Sequence, residues 1–401
     1  MMASANLEEH LDRLLGEDIA AAQQRERTSF DQAAHPYGGR IVLYGAGGLG
    51  QRTLAGLRSN GVEPLAFADR DPESWDGTVR GLPVFSPERA ADRFGANSVF
   101  VITVWNPAVP GGIDAIRKEL AQRGCRRVVP FVWLFWKYAE SFLPYYLWDL
   151  PSRALETGEA VRQTFTLFGR RSRAEFLRNL ELRLTGNFAC LSRPAADPQY
   201  FPERLFRPAP DDCFVDCGAY DGDTLRGWAQ WAGGCFRRAV AFEADPRNFS
   251  ALEDAIAADE RLRGRTDALQ AAVGPRRSKV RFAASGLGSA SVSESGDVEV
   301  GCVSLDETVL EQRPTYIKMD IEGAELDALQ GASATMRRHN PLLAVCTYHT
   351  QDHLWRIPLK LQQLAPEARL ALRPHCEDGF DVVCYAIPPH RAGSVSAEEA
   401  A

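Results

Sequence analysis

The chain is 401 residues long, 45% apolar and 25% charged, roughly twice the length of one typical domain, so two domains are expected. Its 46 Lys and Arg against 53 Asp and Glu give a formal net charge of −7, which argues against a nucleic acid as the main partner. The longest nearly apolar run, Val128 to Trp136, has nine residues and contains Pro130, well short of the about 20 needed to cross a bilayer, so no transmembrane segment is expected.

In chain order, Leu7, Leu11, Leu14, Leu15 and Ile19 recur at helical spacing and predict an amphipathic helix over residues 5–25, in an N-terminal unit 1–35. Glu8, Glu9, Asp12, Glu17 and Asp18 interrupt any apolar core there, the wrong chemistry for a secretory signal or transit peptide, so a cytoplasmic location is expected. The nine cysteines, odd in number and without a Cys-x-x-Cys pair, read as buried free thiols. Strands then read at 41–44, 64–68, 98–104 and 127–129, with helical patterns between them. This βαβ alternation implies a parallel sheet and a Rossmann-like domain over 36–130.

Within that domain, Gly45-x-Gly47-x-x-Gly50 follows a strand and opens a helix, and Asp69 lies nineteen residues after Gly50 at the next strand's end. In that context glycine loops place a pyrophosphate on helix amides and an acid on ribose hydroxyls, so Gly45, Gly47, Gly50 and Asp69 are nucleotide-site candidates. A glycine turn also serves plain strand-to-helix packing. Asp69-Arg-Asp-Pro72 followed by Gly81-Leu-Pro-Val-Phe85 resembles the N-terminal domain of sugar O-acyltransferases and the C-terminal Rossmann-like domain of sugar C-methyltransferases. The pair Trp105-Asn106 strengthens the second resemblance. Together these resemblances imply a nucleotide-sugar site or a structural unit more readily than a redox NAD site, and all three readings stay open.

Residues 131–148 hold nine of the chain's 38 aromatic residues. Such a cluster must be buried, and a core between domains or a homodimer interface is favoured over an aromatic substrate platform. With the helical stretch Pro151 to Arg183 and a polar, proline-bearing stretch from Ser192, it forms a connector over 131–205. A second α/β series over 206–390 has strands expected at 213–217, 238–243, 267–272, 316–320 and 343–348. The small, acidic tail 391–401 is expected to be disordered. The fold class is therefore α/β, with two Rossmann-like doubly wound sheets.

The second series opens with Phe214-Val-Asp-Cys-Gly-Ala-Tyr-Asp-Gly-Asp-Thr224, an apolar strand ending in an acid, followed by Gly218-x-x-x-Gly222. It lacks the third glycine of a dinucleotide fingerprint, so a different ligand is expected. In a class I methyltransferase fold this loop, with Gly218, Tyr220, Gly222 and Thr224, lets backbone approach S-adenosylmethionine, while Asp216 and Asp221 meet its ammonium and ordered waters. Glu243 ends the next strand twenty-seven residues after Asp216, where a carboxylate can accept both ribose hydroxyl protons. Ala272 falls where such folds turn backbone toward adenine. Tyr316-Ile-Lys-Met-Asp-Ile-Glu-Gly-Ala-Glu325 repeats the strand-then-acid pattern and adds Asp320.

With Phe242-Glu-Ala-Asp-Pro246, Ser304-Leu-Asp306, Tyr348-His349 and Asp352-His-Leu-Trp-Arg-Ile-Pro358, residues from about Tyr200 to Pro388 resemble the FkbM family of S-adenosylmethionine-dependent methyltransferases. The resemblance implies O-methylation of a hydroxyl on a sugar, glycan or polyketide. Leu372-Arg-Pro-His375 departs from the Leu-Arg-His common in similar sequences, which leaves His375 without an implied role.

Methyl transfer is an in-line displacement that needs alignment, shielding from water and a base near the acceptor hydroxyl. His349 is expected as that base, Asp320 as the group that orients it or the acceptor, and Lys318 as an electrostatic partner. The less favoured reading makes Asp320 and Glu325 strand-end and helix-start carboxylates and His349 a satisfied surface histidine. No metal is expected. The small-residue stretch 286–292 suits either a loop near the ligands or an ordinary hairpin connection. The competing reading is a nucleotide-sugar or NAD-binding protein with a silent second domain; an NAD-dependent oxidoreductase lacks an obvious hydride-site partner.

Overall fold

The computed structural model describes residues 4–106, 109, 111–194, 197–283, 291–292 and 298–392. The expected disordered tail beyond Ala392 and most of the 286–292 stretch lie outside these residues. In place of one helix over 5–25 there are two, α1 (Ser4–Leu15) and α2 (Ile19–Ala34). The break falls where Asp18 turns its carboxylate onto the amides of Ala20 and Ala21 and caps α2, because capping satisfies helix-start amides that a continuous helix would not expose.

The first sheet contains β1 (Ile41–Tyr44), β2 (Ala66–Ala68), β3 (Thr78–Val79), β4 (Leu82–Phe85), β5 (Val99–Ile102) and β6 (Arg127–Pro130) in the order β3-β4-β2-β1-β5-β6. All its pairings are parallel except β3 with β4. β1, β2 and β5 are fully buried, which is why they read as continuous apolar runs rather than alternating ones. The glycine loop leads from β1 into α3 (Gly48–Ser59).

The remaining strands are β7 (Cys213–Cys217), β8 (Arg238–Glu243), β9 (Thr266–Gln270), β10 (Ala272–Val273), β11 (Ser278–Ala283), β12 (Ser291–Val292), β13 (Val298–Val303), β14 (Tyr316–Met319), β15 (Leu342–Cys346), β16 (Arg369–Pro374) and β17 (Val382–Ile387). Seven of them form the second sheet, β16-β17-β15-β14-β7-β8-β9, with only β17 antiparallel to its neighbours. β10 to β13 make a small flanking sheet. The strand expected over 267–272 is thus divided: Ala271 lies between β9 and β10, and β10 pairs with β13 instead.

Between the two large sheets lies the aromatic segment. Phe131, Phe135, Phe142 and Trp148 are buried, and Trp105, at the end of β5, touches Phe131, Tyr145, Tyr146 and Trp148. Trp105 also stacks on Phe380, from the turn between β16 and β17, with ring centroids 4.0 Å apart. The cluster is therefore a core between the two sheets, where large rings contribute most of the buried apolar area.

Candidate active site

Parallel strands bring their carboxyl ends to one rim, and a ligand crevice opens where the strand order reverses, here between β7 and β14. Leaving β7, the chain turns at Gly218 with φ +82°, where a Cβ would overlap the carbonyl oxygen of Asp320. Only glycine allows so close an approach of the loop to β14. The Gly218 and Ala219 amides both donate to Phe242 O at 3.0 Å, and Tyr220, at φ +48°, donates its amide to Glu243 Oε2 at 2.9 Å. Glu243 Oε1 accepts from the Asp245 amide at 2.8 Å. Burial raises the Glu243 carboxyl above its ordinary range, against the pull of those two amides.

The resulting cleft has a volume of about 350 Å³. Of the expected residues, Gly218, Tyr220, Thr224, Glu243, Ala272, Lys318 and Asp320 line it. Tyr220 is one of two large apolar side chains left exposed among the described residues, at 36%. Asp221 is elsewhere: its Oδ1 accepts from the Asp223 amide and from Arg226, and so fixes the start of the following helix. Gly222 faces Leu252 and Ala255 rather than the cleft.

Asp216 lies beneath the loop. The register pairs Lys318 with Asp216 across β14 and β7, which sets Lys318 Nζ 3.0 Å from Asp216 Oδ1 with side chains 2% and 0% exposed. Lys318 also donates to Gly218 O at 2.6 Å, tying the buried pair to the loop. Burial pushes the Asp216 carboxyl up to about 6 although Lys318 pulls it down. Burial works against the Lys318 ammonium too, but the Asp216 and Asp320 carboxylates hold it above its ordinary value.

At the end of β14, both oxygens of Asp320 are taken. Oδ2 accepts from Tyr200 Oη at 2.8 Å; Oδ1 accepts from Tyr348 Oη at 3.2 Å and lies 3.2 Å from His349 Nε2. His349 and Lys318 outweigh burial and hold Asp320 below the usual carboxylate range. His349 does not reach the cleft. It is buried, with Nδ1 2.8 Å from Glu325 Oε1; despite the opposing effect of burial, Glu325 and Asp320 hold it well above its ordinary value. Glu325 also accepts from the Ile321 amide at 2.9 Å and lies 3.2 Å from His353 Nδ1.

Several lining residues were not expected from the sequence. Tyr200, at φ +67°, comes from the stretch read as connector; its amide donates to Tyr385 Oη at 3.0 Å and its carbonyl accepts from Tyr316 Oη. Asp381 and Gln199 also line the cleft. Glu322 lines it as well, with φ +53° beside Gly323 at φ +106°; the sequence showed it only as part of the family motif. Nothing local marks Tyr200 or Asp381, because their proximity to Asp320 depends on chain far away in sequence.

A second cavity of about 360 Å³ lies at the end of β1, lined by Gly45, Gly47, Asp69, Arg70, Trp105 and Asn106 among others. Gly50 does not line it; a Cβ there would overlap Gly45 O, so its role is close packing of α3 on the loop. Asp69 Oδ2 accepts from the Ala46 amide at 2.6 Å and Oδ1 from the Asp71 amide at 2.8 Å. The acid is therefore folded back onto the loop it was expected to accompany. Among the described residues there is no metal-binding group of three or more His, Cys, Asp or Glu, and no helix long and apolar enough to cross a membrane.

Numbered from β7 within its own domain, the second sheet runs 3-2-1-4-5-7-6 with strand 7 reversed. This order, with acid-ended strands around one cleft, defines a class I methyltransferase fold. Residues 216–380 match the methyltransferase FkbM domain family. The crystal structure of methyltransferase FkbM from Methylobacillus flagellatus KT is similar in fold across 95% of this chain and 98% of that one, at 22% identity and a TM-score of 0.75. Precorrin-6y C5,15-methyltransferase from Geobacter metallireducens GS-15 covers 48% of this chain and 90% of its own at 11% identity and a TM-score of 0.28. No curated protein matches the chain in sequence.

Proposed function

We propose that the protein transfers a methyl group from S-adenosylmethionine to a hydroxyl of a sugar, glycan or polyketide-type acceptor. The observation that carries this reading is the charge of the cleft. Glu243, Asp320, Glu322 and Asp381 line it, and its lining cation Lys318 is turned onto Asp216. Such a wall suits a cationic sulfonium donor and opposes the pyrophosphate of NAD or a nucleotide sugar. Glu243, already fixed by two backbone amides, keeps lone pairs for the ribose hydroxyls. The Gly218 loop and Tyr220 would enclose the donor, and the bound donor would supply an electrophilic methyl.

The acceptor would enter beside Tyr200, Tyr348 and Asp381, whose hydroxyls and carboxylate suit a neutral, hydroxylated small molecule or glycan. In place of His349 as the base and Asp320 as the group that orients it or the acceptor, His349 has a supporting role, buried between Asp320 and Glu325. A histidine held as imidazolium between two carboxylates has no free lone pair, so His349 acts by fixing Asp320. The nine unpaired cysteines fit a cytoplasmic site of action.

Calorimetric titration with S-adenosylmethionine, S-adenosylhomocysteine, NAD and a UDP-sugar tests the reading. Heat from the first two alone is expected. Heat from NAD or the UDP-sugar alone would instead favour a nucleotide-binding protein using the cavity at β1. A radiolabelled methyl donor offered with host small molecules and glycans then identifies the acceptor.

A further inference from the structure

We propose that Glu322 is the catalytic carboxylate: it faces the methyl being transferred and takes the proton of the acceptor hydroxyl, while Asp320 serves as a positioning residue. This rests on the reading of the cleft as a sulfonium-donor site. The three motif carboxylates differ sharply in what they are free to do. Glu325 is fully buried and occupied by the Ile321 amide, His349 and His353. Asp320 reaches the cleft but is saturated by Tyr200, Tyr348 and His349. Glu322 lines the same cleft, 18% exposed, and among the described residues its nearest partner is His349 Nε2 at 3.6 Å, beyond hydrogen-bond distance.

The backbone supports the assignment. Glu322 has φ +53°, a backbone region that non-glycine residues enter at a cost and that persists where the surroundings enforce it, often at functional positions, and Gly323 follows at φ +106°, which glycine adopts freely. The charged and titratable groups facing Glu322 are Asp320 and Lys318 from β14, Glu325 beyond it, and His349 and Tyr348 after β15. Burial first, then Asp320 and Glu325, push its carboxyl up to about 7 against His349 and Lys318. A base so placed accepts a proton near neutrality more readily than Asp320 does.

In the step, the acceptor O–H bond breaks and its proton goes to a Glu322 oxygen. The freed pair forms the new bond to the methyl carbon, and the carbon–sulfur bond breaks onto sulfur, leaving a neutral thioether. Glu322 then returns its proton to solvent.

Sinefungin, the donor analogue with a protonated amine in place of the methylsulfonium, tests the placement without an acceptor. Calorimetry at pH 6 to 8 should show wild type preferring sinefungin to S-adenosylhomocysteine, increasingly as pH rises and Glu322 ionises. Glu322→Gln should reduce that preference about tenfold or more and flatten its pH dependence, leaving S-adenosylhomocysteine affinity within about twofold. A preference that survives in E322Q, or that is lost only in Asp320→Asn, overturns the assignment. If E322Q fails to fold, wild type still decides: no preference for sinefungin, or one independent of pH, overturns it. Wild type that binds neither S-adenosylmethionine nor S-adenosylhomocysteine overturns the donor reading itself, an outcome distinct from the others.

Discussion

Lys318→Met removes the ammonium from a pair whose members are 2% and 0% exposed and 3.0 Å apart. Breaking a buried pair from one side costs about 3–5 kcal/mol, because the remaining charge has no compensation. Here that charge can be neutralised. The Asp216 carboxyl already stands at about 6, and without Lys318 it rises further. A carboxyl raised in the folded state stabilises fully below its unfolded value of about 4 and loses that contribution as pH rises through the folded value. The penalty of Lys318→Met should therefore be small at pH 5.5 and approach its full size at pH 8. Urea unfolding midpoints at the two pH values, followed by tryptophan emission, measure it. The double variant Asp216→Asn/Lys318→Met, which leaves no buried charge, should be more stable than Lys318→Met alone at pH 8. A loss independent of pH, or a double variant as unstable as the sum of the two singles, would refute the reasoning.

Glu243→Gln should weaken S-adenosylhomocysteine binding about tenfold or more, since a charged acceptor for two hydroxyls becomes a neutral amide; unchanged heats would remove Glu243 from the ribose site. Gly218→Ala forces a Cβ into the Asp320 carbonyl at φ +82° and should cost more than about 2 kcal/mol, read as a lower Tm. An unaltered Tm would contradict the close packing described. His349→Ala leaves the buried Glu325 carboxylate with His353 and the Ile321 amide and should cost about 3–5 kcal/mol at neutral pH. In wild type, the raised His349 contributes stability that is fully present below about 6.5 and lost as pH rises through its folded value, while the lowered Glu325 contributes stability lost as pH falls through its own. Wild type should thus show a plateau across neutral pH, and identical unfolding midpoints for wild type and variant there would exclude this account.

The strand-and-acid pattern was legible because a parallel sheet imposes it. Buried strands must be apolar along their length, so an acid at the carboxyl end, as with Asp216, Glu243 and Asp320, stands out. The turn chemistry of Gly218 was equally local. What escaped sequence reasoning was whatever depended on several elements meeting. Tyr200 contacts Asp320 across 120 residues of chain, and no periodicity anticipates that. His349 could be placed at the end of β15, yet its contact with Glu325 could not, and that contact favours the charged form of the imidazole. The loop at β1 shows the opposite limit: the fingerprint spacing was present, but Asp69 had turned inward to its own loop.

The turn between β16 and β17 carries Asp381, which lines the cleft, and its neighbour Phe380 is stacked on Trp105 of the other sheet, whose indole donates to Asp378 O at 3.0 Å. The first sheet is thus part of the mould in which one wall of the cleft is cast. Replacing Trp105 by alanine would therefore loosen a wall of the cleft even though every residue of the second sheet was retained.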